Sequence, residues 1–413
     1  MNRRLRRLAG QALTAVLAVA FAGIALARWA RRRAPRTQPR SVLLVRFDLM
    51  GDVVNGLGAA WDARARWPEA RISFMAPPAW TPIVRRCSAA DEVLAFDGGA
   101  VTHWPQAVNP AAWWRAVAVI RSIRRRRFDL AVSLYGGIAG TVVALSGARE
   151  RVGYRTEAPP FSFDRPLPGR RRNGGPHESL LAARLVSDAQ PPWRTLDRTA
   201  GLSLPAALRA ASRPLVVAHP GATHGRAKRW PSEHWRSALR ALAAETGATM
   251  VIAGVRADAA LGAELAASAP GTIDLTGRTT LDELMAVLHV ADLVISVDSG
   301  PAHLARAMGT RVLALHGPTD VHLHGPGDPS CQALRVEIPC GPCYSFRGPA
   351  ECAFGDRLCM EWLAPERVVQ AARAMIPSPW NPAAMEEHPA EGNASREGES
   401  VPRGPFPRAR LSP

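Results

Sequence analysis

Three short segments of the sequence place acids, hydroxyls and an ammonium group just after apolar runs, where a fold can gather them. The first begins with Val42-Leu43-Leu44-Val45 and turns through Gly51 into Asp52. A carboxylate at the start of a helix either caps the free amides there or takes a proton from a substrate hydroxyl. Asp52 is the candidate general base. Asp48 is a second acid close by, with Arg46 as its expected partner.

The second segment runs from Val216 through His219-Pro220-Gly221 to Trp230. Its small residues allow a backbone to approach a ligand closely. Thr223 offers a hydroxyl and Lys228 a compact cation, both suited to phosphate. Lys228 is the only lysine among 52 basic residues, and arginine does not replace a point charge. In the third segment an apolar run ends at Asp298, followed by Ser299-Gly300-Pro301 and His303. Proline suits a helix start, and the turn amides with the helix dipole make a cradle for an anion. His303 lies within reach of such an anion.

Strand-like runs at 42–45, 71–75 and 130–134 alternate with helical patterns at 52–67 and 112–126. The rhythm restarts near residue 210, with strands at 215–218, 249–253, 293–297 and 312–315. Helices are expected at 232–246, 258–267, 281–290, 301–308 and 364–375. Continuous apolar strands alternating with helices predict parallel α/β sheets. The expected organisation is two Rossmann-like domains, 41–210 and 211–376, facing a cleft. Ligands in such sheets bind beyond the carboxyl ends of the strands, where all three segments fall. No G-x-G-x-x-G follows a strand and no G-x-x-x-x-G-K-[ST] occurs, which argues against a dinucleotide dehydrogenase and a P-loop enzyme.

Taken in order, the GDVV turn, the P-G-x-T…K-R-W-P segment and V-D-S-G-x-x-H resemble the heptosyltransferases of glycosyltransferase family 9, over about residues 41–375. The resemblance implies a GT-B fold and inverting transfer of a sugar from a nucleotide diphosphate. ADP-heptose is the expected donor and a lipopolysaccharide or other lipid-linked saccharide the acceptor. It implies Asp52 as the base, Thr223 and Lys228 as phosphate contacts, and Asp298, Ser299, Gly300 and His303 as the donor-site turn. An acid that holds the donor ribose in some members falls nearest Asp258. Two other readings fit the same architecture: a nucleotide-sugar epimerase, and a non-catalytic membrane-bound sensor or scaffold.

Cys340, Cys343, Cys352 and Cys359 fall within 20 residues. Such a cluster suits structural zinc or an Fe–S centre, disulfides, or free thiols. Transfer itself is expected to need no cofactor.

The first 40 residues hold ten arginines and no acid, supplying most of the net charge of +17. Residues 8–27 carry no charge and, as a helix, would span about 30 Å, one hydrocarbon core. Residues 1–40 are therefore expected to be a membrane anchor and linker. A cleaved signal peptide, given Ala25-Leu26-Ala27, or a simple extension are the other readings. The larger arginine count after the run orients the body towards the cytoplasm, at the inner membrane. No nucleic-acid motif accompanies the charge, and no nucleic-acid partner is expected. Residues 377–413, rich in Pro, Glu, Ser and Arg, are expected to be disordered.

Overall fold

The computed structural model describes residues 36–376, apart from 99–108, 159–161, 170–172, 188, 223–224 and 345–350. The expected N-terminal helix and the C-terminal tail lie outside the described residues. Among the described residues no helix is long and apolar enough to cross a membrane.

The chain builds two sheets in succession. The first holds β1 (Ser41–Arg46), β2 (Arg71–Ala76), β3 (Glu92–Ala95), β4 (Leu130–Tyr135), β5 (Glu150–Tyr154) and β6 (Arg165–Leu167). Its main helices are α1 (Met50–Gly56), α2 (Gly58–Arg66), α3 (Pro110–Arg126), α4 (Gly137–Leu145) and α5 (Glu178–Ala183). The second sheet holds β7 (Leu215–His219), β8 (Thr249–Ile252), β9 (Ile273–Asp274), β10 (Leu293–Val297), β11 (Val312–His316) and β12 (Gln332–Arg335). With it run α6 (Ser232–Thr246), α7 (Ala259–Ser268), α8 (Leu281–Val290), α9 (Gly300–Ala307) and α10 (Pro365–Met375).

The strand orders are β3-β2-β1-β4-β5-β6 and β12-β11-β10-β7-β8-β9, every pairing parallel. Renumbered from its own first strand, the second sheet repeats the topology of the first. Each is the doubly wound order in which the chain reverses direction beside the first strand. The reversal points lie between β1 and β4 and between β7 and β10, and ligand crevices open there.

The apolar runs behave as strands buried on both faces. Along β1, Val42 and Leu44 join one core while Leu43 and Val45 join another, as the two-residue strand period requires. Along β7, Leu215 and Val217 join the cluster that holds Val42 and Leu44, and Val216 and Ala218 face the opposite way. One apolar cluster is thus shared by both sheets, with a second core outside each. Truncating a fully buried residue such as Leu43 to alanine costs about 2–5 kcal/mol.

Local signals fix the helix ends. Asn109 caps α3 by accepting from the Ala111 amide at 2.9 Å. Thr280 and Glu283 form a reciprocal capping box on α8. Gly247, in the left-handed region at φ 65°, ends α6.

Candidate active site

Asp52 lies in the first turn of α1, directly after β1, and is 7 % exposed. Its Oδ2 accepts from the Leu49 amide at 3.2 Å, so it caps its own helix. Its Oδ1 accepts from Arg46 Nη2 at 3.2 Å. The same guanidinium reaches Glu178 Oε2 at 3.1 Å and, through Nε, Asp48 Oδ2 at 2.8 Å. The guanidinium carbon also lies 5.1 Å from the centre of the Tyr135 ring. Arg46 is 1 % exposed and faces three carboxylates, which offsets part of the cost of burying Asp52 and Glu178. The expected pairing of Arg46 with Asp48 is present. Glu178, 132 positions away on α5, was not foreseen.

On the second sheet, Lys228 and Asp298 meet at 2.9 Å. Burial acts to lower the Lys228 pKa, but the charge and hydrogen bond of Asp298 prevail and hold it above the ordinary lysine value. Burial acts to raise Asp298, yet Lys228, with His303 and His316 behind it, holds the carboxyl well below the usual range. The pair is ionised at neutral pH. The ring of Tyr344 lies 4.3 Å from the lysine Nζ, a cation–π distance. His303 Nε2 lies 3.8 Å from Asp298 Oδ1, too long for a hydrogen bond.

Ser299 takes the N-cap position of α9, but its hydroxyl is turned away from the helix amides. It lies 3.0 Å from Ser296 Oγ and 3.2 Å from His219 Nδ1. Burial pushes His219 down to about 4, so its ring is neutral. Gly300 and Gly51 bring the starts of α9 and α1 together. A Cβ added at Gly51 would lie 2.7 Å from His303 Cδ2, and one at Gly300 would lie 2.5 Å from Met50 Cε.

These groups line one cavity of about 580 Å³. Asp52 and Asn55 enter it from the first sheet, and Lys228, Asp298, Ser299, Gly300 and His303 from the second. Val255, Arg256, Gly277, Thr280 and Leu284 extend it beyond β8 and β9 into a more apolar recess. Of the residues expected at the site, only Thr223 lies outside the described residues. Asp258 is not among the lining residues. It is buried, accepts from Arg229 at 3.2 Å and packs against Gly221. Arg256 lines the wall instead.

The four clustered cysteines require a correction to the metal reading. Among the described residues, no group of three or more His, Cys, Asp or Glu is arranged to hold a metal ion, and all four thiols are free. Cys359 is buried at the start of a helical turn, whereas Cys340 and Cys343 are exposed on a loop. They remain near enough to affect one another. Burial first, then the neighbouring thiols, raise Cys343 and push Cys359 up to about 11.

Two doubly wound parallel sheets, with a helix start and an acid converging on one cavity, have the architecture of a glycosyltransferase of the GT-B type. Residues 179–353 match the model of glycosyltransferase family 9 (heptosyltransferase). The protein is a glycosyltransferase that resembles that family. It is 23% identical over 366 residues to lipopolysaccharide heptosyltransferase 2 of Escherichia coli, covering 81% of this chain and 98% of that one. It is 25% identical over 379 residues to lipopolysaccharide heptosyltransferase 1 of Pseudomonas aeruginosa, covering 82% and 98%. An E. coli heptosyltransferase solved with ADP superposes with a TM-score of 0.64 at 20% identity, covering 81% of this chain and 99% of that one.

Proposed function

We propose that this enzyme transfers heptose from ADP-heptose, with inversion, to a hydroxyl of a lipopolysaccharide core or related lipid-linked saccharide. The observation that carries the reading is the cavity itself, with Asp52 on one wall and the Lys228–Asp298 pair beside the α9 start on the other. The acceptor oxygen attacks the anomeric carbon, the bond from that carbon to the phosphate oxygen breaks, and the acceptor proton passes to Asp52. Lys228 and the amides of α9 take up the charge developing on the departing diphosphate. Asp298 anchors the ammonium so that it needs no reorganisation as the bond breaks. The apolar recess beyond β8 suits a nucleoside base. No cofactor enters this scheme. E. coli and Pseudomonas relatives named as lipopolysaccharide heptosyltransferases support the substrate class.

The membrane belongs to the same proposal. An acceptor carried on lipid is presented at the inner-membrane surface, and residues 8–27 with their flanking arginines suit retention on its cytoplasmic side.

Asp52→Asn keeps the size and the amide cap of the side chain but not its basicity. Transfer is expected to fall by roughly 10²–10⁴-fold, with ADP binding unchanged. Transfer by this variant at the normal rate would remove Asp52 as the base.

A further inference from the structure

Seven large apolar side chains are exposed among the described residues, and their distribution is uneven. Leu49 and Val255 line the cavity already described. Three others, Trp113, Trp114 and Val117, stand together on α3, with Trp114 69 % exposed. The inner face of α3 is satisfied: Ile123, with Ala116, Val119 and Ile120, packs into the core outside the first sheet. The outward face runs Trp114, Val117, Ala118, Arg121 and Arg125, all exposed and spaced at helical intervals.

The charge on this helix is one-sided. From Pro110 to Arg127 there are six arginines and no acid. Some arginines elsewhere meet acids, as Arg64 meets Asp91 and Arg373 meets Glu245. On α3 only Arg126 does so, with Glu92. Among the described residues no carboxylate pairs with Arg115, Arg121 or Arg125.

The position of the helix adds a second line of argument. A helix that joins parallel strands runs back against them, so α3 starts at the carboxyl edge of the sheet and ends at the amino edge. Its tryptophans therefore lie on the edge that carries Asp52. Just after its last turn lies a groove lined by Arg36, Arg40, Arg127 and Arg149, in which Asp129 pairs with Arg36 and Arg149. There the chain arrives from the ten-arginine, otherwise uncharged N-terminal stretch.

From this arrangement we infer that the outer face of α3 docks on an anionic phospholipid surface. Tryptophan rings settle at the headgroup level, valine enters the acyl boundary, and arginine stems lie along the interface with their heads on lipid phosphate. Each cation near such a surface contributes about 1 kcal/mol, close to fivefold in partition. The 17-residue helix is about 25 Å long and runs from one edge of the first sheet to the other. This goes beyond the proposed transfer, and its test needs no activity.

The experiment is hydrogen exchange of the full-length protein, read in residues 110–126. It is run free, with phosphatidylcholine vesicles, and with vesicles that also contain phosphatidylglycerol. On the anionic vesicles exchange in this segment is expected to slow about tenfold when lipid exceeds half-saturation tenfold. Trp114→Ser with Val117→Ser, and Arg121→Gln with Arg125→Gln, are surface changes that each remove the slowing. Unaltered exchange in α3 while the protein floats with the vesicles overturns the inference, as does failure to bind them at all. Slow exchange already present without vesicles also overturns it, since the face would then be covered by the chain's own N-terminal residues or by a second copy.

Discussion

Gly51 and His303 touch across the two sheets, with room for no side chain between them: a Cβ on Gly51 would stand 2.7 Å from the histidine ring. The contact sets the distance between the acid on α1 and the start of α9. Gly51→Ala is expected to force the two helix starts apart and to cost about 1–3 kcal/mol of stability. Transfer should fall more than ADP affinity, because Asp52 moves with α1 while the donor cradle stays on its own sheet. Denaturant midpoints and kcat against KM for the donor measure the two effects.

Lys228→Ala leaves the buried carboxylate of Asp298 without its cation. Breaking such a pair from one side costs about 3–5 kcal/mol, and ADP binding should be lost together with stability. Lys228→Arg restores the charge but not the compact geometry, so it should recover stability better than ADP affinity. Equal recovery of both in calorimetric titration and urea unfolding would contradict a phosphate-binding role for the ammonium.

Three buried histidines set the acid limit of the fold. Burial lowers His177 to about 3, and His219 and His316 to about 4, from an ordinary value of 6.5. A depressed folded-state pKa means that the unfolded chain binds the proton first. Stability is therefore full above about pH 6.5 and is lost as pH falls towards 4. Each ring contributes a slope of up to about 1.4 kcal/mol per pH unit. Unfolding measured between pH 7 and 4 should steepen accordingly, and His219→Gln should make the slope shallower.

Arg306 of α9 crosses to the first sheet. It donates to Asn55 Oδ1 at 2.8 Å and to the Pro326 carbonyl at 3.1 Å, and its guanidinium lies 5.2 Å from the centre of the Trp193 ring. It is 1 % exposed, and burial lowers its pKa to about 10. Asn55→Ala removes one of two acceptors from a buried cation and is expected to destabilise by about 1.5–3 kcal/mol. Chemical denaturation measures this loss, and a change below about 0.5 kcal/mol would show that the junction rests on packing alone.

Much of this site was readable because its residues follow the most apolar strands. β1, β7 and β11 announce themselves as runs of Val, Leu and Ala, and β10 as such a run broken only by Ser296, and the chemistry sits where each run stops. Asp52, Lys228, Asp298 and His303 could be gathered by that rule without any coordinates. Short edge strands such as β6 and β9 could not, since three or two residues carry no period. Glu178 was missed for a different reason. It opens an ordinary-looking helix, and only the fold brings it to Arg46. Arg46 did leave a trace, as a single charge closing an apolar strand with acids two and six positions later. The cysteine spacing misled in the opposite sense: proximity in sequence placed the thiols near one another without aiming them at a common point.

The wall that the first sheet gives to the cavity is almost entirely one turn. Leu49, Met50, Gly51, Asp52 and Asn55 line it, with Trp80 the only other contribution among the described residues before 219. The opposite wall is encoded separately, from His219 onward, so the two walls lie more than 130 residues apart in the chain and meet only through the fold.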